Sequence, residues 1–227
     1  MPGFVVAIDG KAGSGKSTTA KGVAQRLNFF YLDTGAMYRA FTLKYLLNTR
    51  NYIKIDKKLV SKLLKNTKIE LIKDGEELKI ILDGRNVTQD IRSPLINNLV
   101  SQISAIKKVR EWMVKRQRAI ARGKNIVCEG RDMTTVVFPK AQVKIFMDAD
   151  LKTRAKRRKK ELDEKNIKVN LTEIIKNLEF RDHFDSTRKH SPLKKTNDAI
   201  FIDTTNLTIE EEIELVEKIV RNRFNKN

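Results

Sequence analysis

The chain has 227 residues, 47 of them Lys or Arg against 28 Asp or Glu, which gives a formal net charge of +19 and a sequence pI near 10.0. With 40% hydrophobic and 33% charged residues, it is too apolar for a disordered polycation and too charged for a membrane protein, so a soluble globular fold with a sizeable core is expected. The positive excess asks for a polyanionic partner, and the total alone does not choose among nucleic acid, an anionic membrane and phosphorylated metabolites.

No stretch approaches the ~18 apolar residues of a spanning helix. The opening MPGFVVAIDGKAG has neither a basic leader nor a small-residue cleavage site. One cysteine, Cys128, excludes an internal disulfide, and two separated histidines suggest no metal cluster, so a reducing, cytoplasmic setting is expected.

In chain order, Phe4 to Ile8 is an apolar, β-branched run that predicts a buried strand ending at Asp9-Gly10. Residues 10 to 17, GKAGSGKS, match G-x-x-x-x-G-K-[ST], and Ala20, Val23, Ala24 and Leu27 then recur at helical spacing. In a strand–loop–helix context the glycines let backbone N–H groups face phosphate oxygens, Lys16 neutralises phosphate charge and the Ser17 hydroxyl suits Mg²⁺. Gly10, Lys11, Ala12, Gly13, Ser14, Gly15, Lys16, Ser17 and Thr18 are therefore expected to bind a nucleoside triphosphate. A glycine turn before a helix is the bland alternative, and the context argues against it.

A second strand over Phe29 to Leu32 leads into Asp33-Thr34-Gly35 and Ala36-Met37-Tyr38-Arg39, a set suited to a second phosphorylated ligand. Taken alone, an N-capped helix with a solvated Arg39 explains it as well. Residues 67 to 88 alternate around Asp74-Gly75 and Asp83-Gly84, which predicts a small antiparallel β insert. The strand Asn125 to Cys128 ends in Glu129-Gly130-Arg131-Asp132, again with charge at a strand's carboxyl end. Beyond the strand Val143 to Met147 lies a basic helical stretch, 150 to 190, with Asp150 and Asn170 as expected N-caps. Its segment Lys152 to Lys160 holds seven basic residues in nine. Ala199 to Ile202 predicts a last strand, and Thr208 with Glu211 predicts a capping box on the final helix. Alternating strands and helices give a parallel α/β sheet with functional loops at the carboxyl ends of its strands.

The motifs DTGAMYRA (33–40), VSQISAIKKVRE (100–111), EGRDMTTVVFP (129–139), RAKRR (154–158) and RDHFDSTRKHSPL (181–193) resemble those of bacterial cytidylate kinase, a nucleoside monophosphate kinase family of P-loop proteins. With VKIFMDA (143–149) and DAIFIDTT (198–205), the similarity runs from the phosphate loop almost to the C terminus. The resemblance implies a single P-loop NTPase domain, three-layer α/β/α, with a five-stranded parallel core formed by 1–34, 105–150 and 190–227. It implies an NMP-binding lobe at 35–104 that carries the β insert, and a helical lid region at 151–189. The implied reaction is ATP with CMP or dCMP to ADP with CDP or dCDP.

The same resemblance implies site roles residue by residue. Ser101, Arg110 and Asp132 fall on base-reading positions, Arg39 and Arg131 on the monophosphate, Thr34 near the nucleotide, and Arg181, Asp185 and Arg188 on ribose and phosphate contacts. A carboxylate at Asp132 suits the cytosine amino group, which uracil lacks. Lys16, Arg131, Arg154 and Arg158 are the expected catalytic cations, and Mg²⁺ is expected on Ser17 with waters oriented by Asp33 or Glu129. Thr134 departs from the pattern, standing where many members have glycine, and His183-Phe184 and Ser186-Thr187 replace more polar residues. A kinase for UMP or another small phosphate acceptor is the near alternative, and a basic RNA-binding P-loop NTPase is the distant one. A monomer is expected, with no membrane partner and no specific nucleic acid, although weak, salt-sensitive RNA binding is compatible with the charge.

Overall fold

The run from Val5 to Gly10 forms β1, buried at every position, as a strand covered on both faces requires. In this computed structural model, which describes residues 3–49, 54–75, 77–164 and 166–225, β1 is the centre of a five-stranded sheet. Taking β2 as Phe30–Asp33, β6 as Ile126–Gly130, β7 as Val143–Asp148 and β8 as Ile200–Asp203, the order is β2-β6-β1-β7-β8. β1 runs parallel to both β6 and β7, and β7 is parallel to β8. The register sets Asp9 beside Gly130, Gly10 beside Met147 and Asp148 beside Asp203. The loops that follow β1, β6, β7 and β8 therefore open at one edge, where a parallel sheet presents its ligands. This is the α/β fold that the alternating pattern predicts.

The chain divides into two units, Met1–Tyr31 with Gly123–Asn227 and Leu32–Arg122. In the first, α1 (Lys16–Arg26) and α8 (Ile209–Phe224) cover one sheet face. Ala20, Val23, Ala24, Ile213, Val216 and Val220 pack there with Val6, Ile8, Val127, Ile145, Met147 and Ile202. α6 (Leu151–Asp163) and α7 (Leu171–Thr187) occupy the basic stretch, and Ala155, Ile174 and Leu178 share a smaller core with Ala12 of the phosphate loop. The caps expected there are present: Asp150 accepts from the Thr153 N–H at 2.8 Å and Asn170 from the Glu173 N–H at 2.9 Å. Thr208 and Glu211 complete both halves of the capping box on α8.

The second unit contains α2 (Thr34–Asn48), α3 (Lys57–Lys65), α4 (Pro94–Ser104) and α5 (Lys107–Ala121). It also contains β3 (Ile69–Asp74), β4 (Glu77–Leu82) and β5 (Arg85–Asn86), an antiparallel sheet where alternation predicts one. Ile69, Leu71, Ile80 and Leu82 are buried. The β4–β5 turn places Asp83 and Gly84 at φ 51° and 86°, the left-handed conformations that an Asp-Gly hairpin turn needs. Among the described residues, no helix is long and apolar enough to cross a membrane.

Candidate active site

The phosphate loop links the buried end of β1 to the first turn of α1, and the sequence dictates its path. Gly13 and Gly15 adopt φ of 77° and 88°, which a side chain would strain. α1 begins at Lys16 with Gly15 as its N-cap and no side-chain cap, so its first N–H groups and the positive end of its dipole face the loop. The Lys16 ammonium is buried, donates to the Lys11 carbonyl at 3.2 Å and lies 4.0 Å from Glu129 Oε2. The Ser17 hydroxyl donates to Glu129 Oε1 at 3.0 Å. Lys11 pairs with Asp148 at 2.7 Å. Ala12 and Ser14 are buried, whereas Ser17 and Thr18 are exposed at the helix start.

Beyond Glu129, the end of β6 delivers Arg131 and the buried Asp132. Arg131 Nε donates to Asp185 Oδ2 at 2.7 Å, and Arg188 Nη1 lies 3.5 Å from Asp185 Oδ1. Burial acts to raise the Asp185 carboxyl, but the Arg131 and Arg188 charges outweigh it and hold it below the ordinary carboxylate range, with Arg181 adding to the effect. Arg131, Arg181, Asp185 and Arg188 are thus one charged cluster. A two-pronged guanidinium beside a fixed carboxylate suits an arrangement that binds phosphate and hydroxyl groups together.

After Asp132 the chain turns through a single π-helical segment, Met133–Val137. The sequence gives no sign of it, and Asp9 is what holds it. Asp9 is fully buried; its Oδ1 accepts from the Met133 N–H at 2.8 Å, and its Oδ2 accepts from the Thr134 N–H at 2.8 Å and the Thr134 hydroxyl at 2.7 Å. Thr134 is not among the described non-glycine residues with positive φ. The side chain is therefore accommodated without backbone strain, and its hydroxyl adds a donor to Asp9. The available signal for Asp9 was a carboxylate at the end of an otherwise apolar strand.

The basic run on α6 is not one face. Arg154 is buried: Nε donates to the Ala149 carbonyl at 2.9 Å, while Nη1 donates to the Ala12 carbonyl at 3.1 Å and to Asp182 at 2.7 Å. Arg158 Nη1 pairs with Glu161 at 2.7 Å, one turn along the same helix. Lys152, Lys156 and Lys160 are the exposed stripe. Asp182 and Asp148, which fix Arg154 and Lys11, had no assigned role in the sequence.

In the unit of residues 32–122, the Asp33 carboxylate caps α2 by accepting from the Ala36 N–H at 2.8 Å, and Thr34 is buried at the helix start. Arg39 Nε donates to Asn97 at 3.4 Å. Ser101 on α4 and Arg110 on α5 are both buried. Arg110 donates to the Ser104 carbonyl at 3.1 Å, and its guanidinium lies 5.4 Å from the centre of the Tyr38 ring. Tyr38 and Ser104 thereby orient Arg110, a role that spacing alone could not show. Of the two carboxylates considered for metal-bound water, Glu129 touches Ser17, whereas Asp33 is engaged in capping.

Comparison with known proteins bears on these arrangements. A sequence model described as cytidylate kinase matches residues 6–222. The cytidylate kinase of Fusobacterium nucleatum is 48% identical over 96% of this chain and 97% of its own length. That of Caldanaerobacter subterraneus is 48% identical over 95% of this chain and 94% of its own. Among solved structures, an uncharacterized protein from Eubacterium ventriosum is similar in fold, with a TM-score of 0.53 at 13% identity over 97% of this chain and 100% of that one.

Proposed function

The chain belongs to the cytidylate kinase family, and from that premise we infer that it transfers the γ-phosphoryl group of ATP to CMP or dCMP, yielding ADP and CDP or dCDP. The observation that carries this reading is a complete phosphate loop whose Ser17 hydroxyl meets the Glu129 carboxylate at the edge of the same sheet that bears Arg131 and Asp132. Phosphoryl transfer needs little covalent help, because the acceptor oxygen is already a nucleophile. Positioning and charge neutralisation carry it.

In this reading the N–H groups of residues 10 to 18 cradle the ATP phosphates, and Lys16 follows the charge that spreads onto the transferring group. Arg154 and Arg158 add positive charge from α6. Arg131 binds the acceptor phosphate, as does Arg39 from its own unit, and Arg181, Asp185 and Arg188 order ribose and phosphate. Asp132 accepts from the cytosine amino group, with Ser101 and Arg110 as the other base-reading side chains and Thr34 beside the nucleotide. Asp185 offers an acceptor to ribose hydroxyls.

Oxygen donors suit Mg²⁺, and the contact between Ser17 and Glu129 places a hydroxyl beside a carboxylate that can orient metal-bound water. When bound, Mg²⁺ neutralises charge on the β- and γ-phosphates. We place the protein in the cytoplasm as a monomer, a setting that suits its single, buried, unbridged cysteine.

Initial rates with ATP against a panel of CMP, dCMP, UMP, AMP and GMP test the assignment. CMP or dCMP should lead. Comparable or faster turnover of UMP, or ATP hydrolysis that RNA stimulates and CMP does not, would overturn it.

A further inference from the structure

Glu212 on α8 is 1% exposed, yet it is a carboxylate on the inner side of a helix whose neighbouring acids, Glu210 and Glu211, lie at the surface. Its Oε2 accepts from the Thr19 hydroxyl at 2.7 Å, and its Oε1 forms an ion pair with Arg157 Nη2 at 3.0 Å. The Thr19 oxygen is also 3.1 Å from the Gly15 carbonyl, so its one proton, directed at Glu212 over the shorter distance, is shared with the last residue of the phosphate loop. A Cβ built on Gly15 would come within 2.3 Å of Glu212 Oε2, so the loop backbone rests directly on the carboxylate.

Arg157 belongs to the basic run of α6, but its guanidinium turns toward the core. Its Nη1 donates to the Thr204 hydroxyl at 3.1 Å, and its Nη2 donates to the Thr204 carbonyl at 2.7 Å and the Leu207 carbonyl at 3.1 Å. The Thr204 hydroxyl in turn donates to the Ser14 carbonyl at 3.0 Å. The buried Glu212, Thr19 and Thr204, with the half-buried Arg157, thus form one polar floor that meets the loop at Ser14 and Gly15. None of these four side chains belongs to the phosphate-loop motif.

We propose that Glu212 and Arg157 are positioning residues for ATP: they hold Thr19, Ser14 and Gly15 so that the N–H groups from Gly13 to Ser17 keep the spacing that a triphosphate requires. The inference rests on the kinase reading of the phosphate loop. A loop whose carbonyls are tied down from beneath leaves its N–H groups directed at the ligand, and the planar fork of Arg157, half-buried beside the fully buried Glu212 carboxylate, holds several acceptors in one fixed geometry.

Isothermal titration with ADP and, separately, with CMP tests the proposal in folded variants whose melting temperatures are recorded. Thr19→Val removes the hydroxyl with little change of shape, and Glu212→Gln removes the charge opposite Arg157. Each should weaken ADP binding roughly tenfold, the scale of one charge-assisted hydrogen bond, and raise the KM for ATP in parallel, with CMP binding within about twofold of wild type. Thr19→Ser, which keeps the hydroxyl, should bind ADP like wild type, and the double variant should be no worse than its weaker-binding parent.

Variants that melt earlier but bind ADP normally would overturn the proposal, as would equal losses for ADP and CMP. Should Thr19→Val not fold, Arg157→Lys is read in its place: it keeps the cation, loses the fork, and should show the same selective loss of ADP. Wild-type protein that failed to bind ADP would instead refute the phosphate-loop reading itself.

Discussion

Burying the Asp9 carboxyl at the end of β1 favours its protonated form, and this outweighs its bonds to Thr134 and Met133, so its pKa rises from 3.8 to about 6. The native state therefore holds the proton more tightly than the unfolded chain. Asp9's contribution to stability is most favourable below pH 4, declines as pH rises from about 4 to about 6, and is level above that, a change of about 3 kcal/mol. Thr134→Ala removes a donor that favours the charged form. Its urea midpoint should fall by the equivalent of about 1–2 kcal/mol at pH 7.5, with a gap to wild type that narrows toward pH 4; a gap independent of pH would show that the hydroxyl does not act through Asp9. Lys16→Ala should reduce kcat by roughly 10²–10³-fold while the protein remains folded. On the proposed base-reading role, Asp132→Asn replaces a charged acceptor for the cytosine amino group by a neutral amide whose NH₂ can also face it; kcat/KM for CMP should drop by about 10–100-fold with ADP affinity retained, and equal losses for both nucleotides would mark Asp132 as structural.

The strands, both hairpin turns and the caps of α6, α7 and α8 were legible because each is written in neighbouring residues: an apolar run, an Asp-Gly pair, a Thr three places before a Glu. What escaped is written across distance. Arg154 reads as one more solvated cation until its partners appear, and these are the Ala12 carbonyl and Asp182, 142 and 28 positions away. The π-helical turn after Asp132 depends on Asp9, 124 positions from Met133. No local pattern encodes such pairs, although the resemblance had already marked Arg154 and Asp132 themselves. The capping box opens α8, the helix that carries Glu212 beside Gly15 of the phosphate loop. Thr208→Ala should cost about 1 kcal/mol, roughly 2–4 °C in Tm for a chain of this size, and differential scanning calorimetry would register it.

Across the whole molecule, the net charge of +19 resolves into two populations. Lys16, Arg110, Arg131, Arg154 and Arg188 are buried or nearly so and each has a defined partner. Lys57, Lys58, Lys62 and Lys65 on α3, Lys107, Lys108 and Lys115 on α5, and Lys152, Lys156 and Lys160 on α6 are exposed. The first population makes buried contacts, while the second, apart from surface contacts such as Lys107 with Glu111 and Lys108 with Ser61, adds a diffuse field that salt screens. Weak binding of unstructured RNA should therefore fall steeply, by about tenfold or more, between 50 and 200 mM salt. CMP phosphorylation should be unchanged when that RNA is added; filter binding and coupled-assay rates measure the two.

Cys128 lies fully enclosed in β6, its thiol turned to the Val6 carbonyl at 3.4 Å and its pKa pushed well up, by burial first and then by the Asp9 and Glu129 charges. Thiol-reactive dyes attack the thiolate, and this one neither forms readily nor meets solvent. The native sequence is thus already a quiet background for labelling. A cysteine introduced at exposed Lys156 or Lys62 would take a fluorophore or spin label alone, without first replacing a residue of the central sheet.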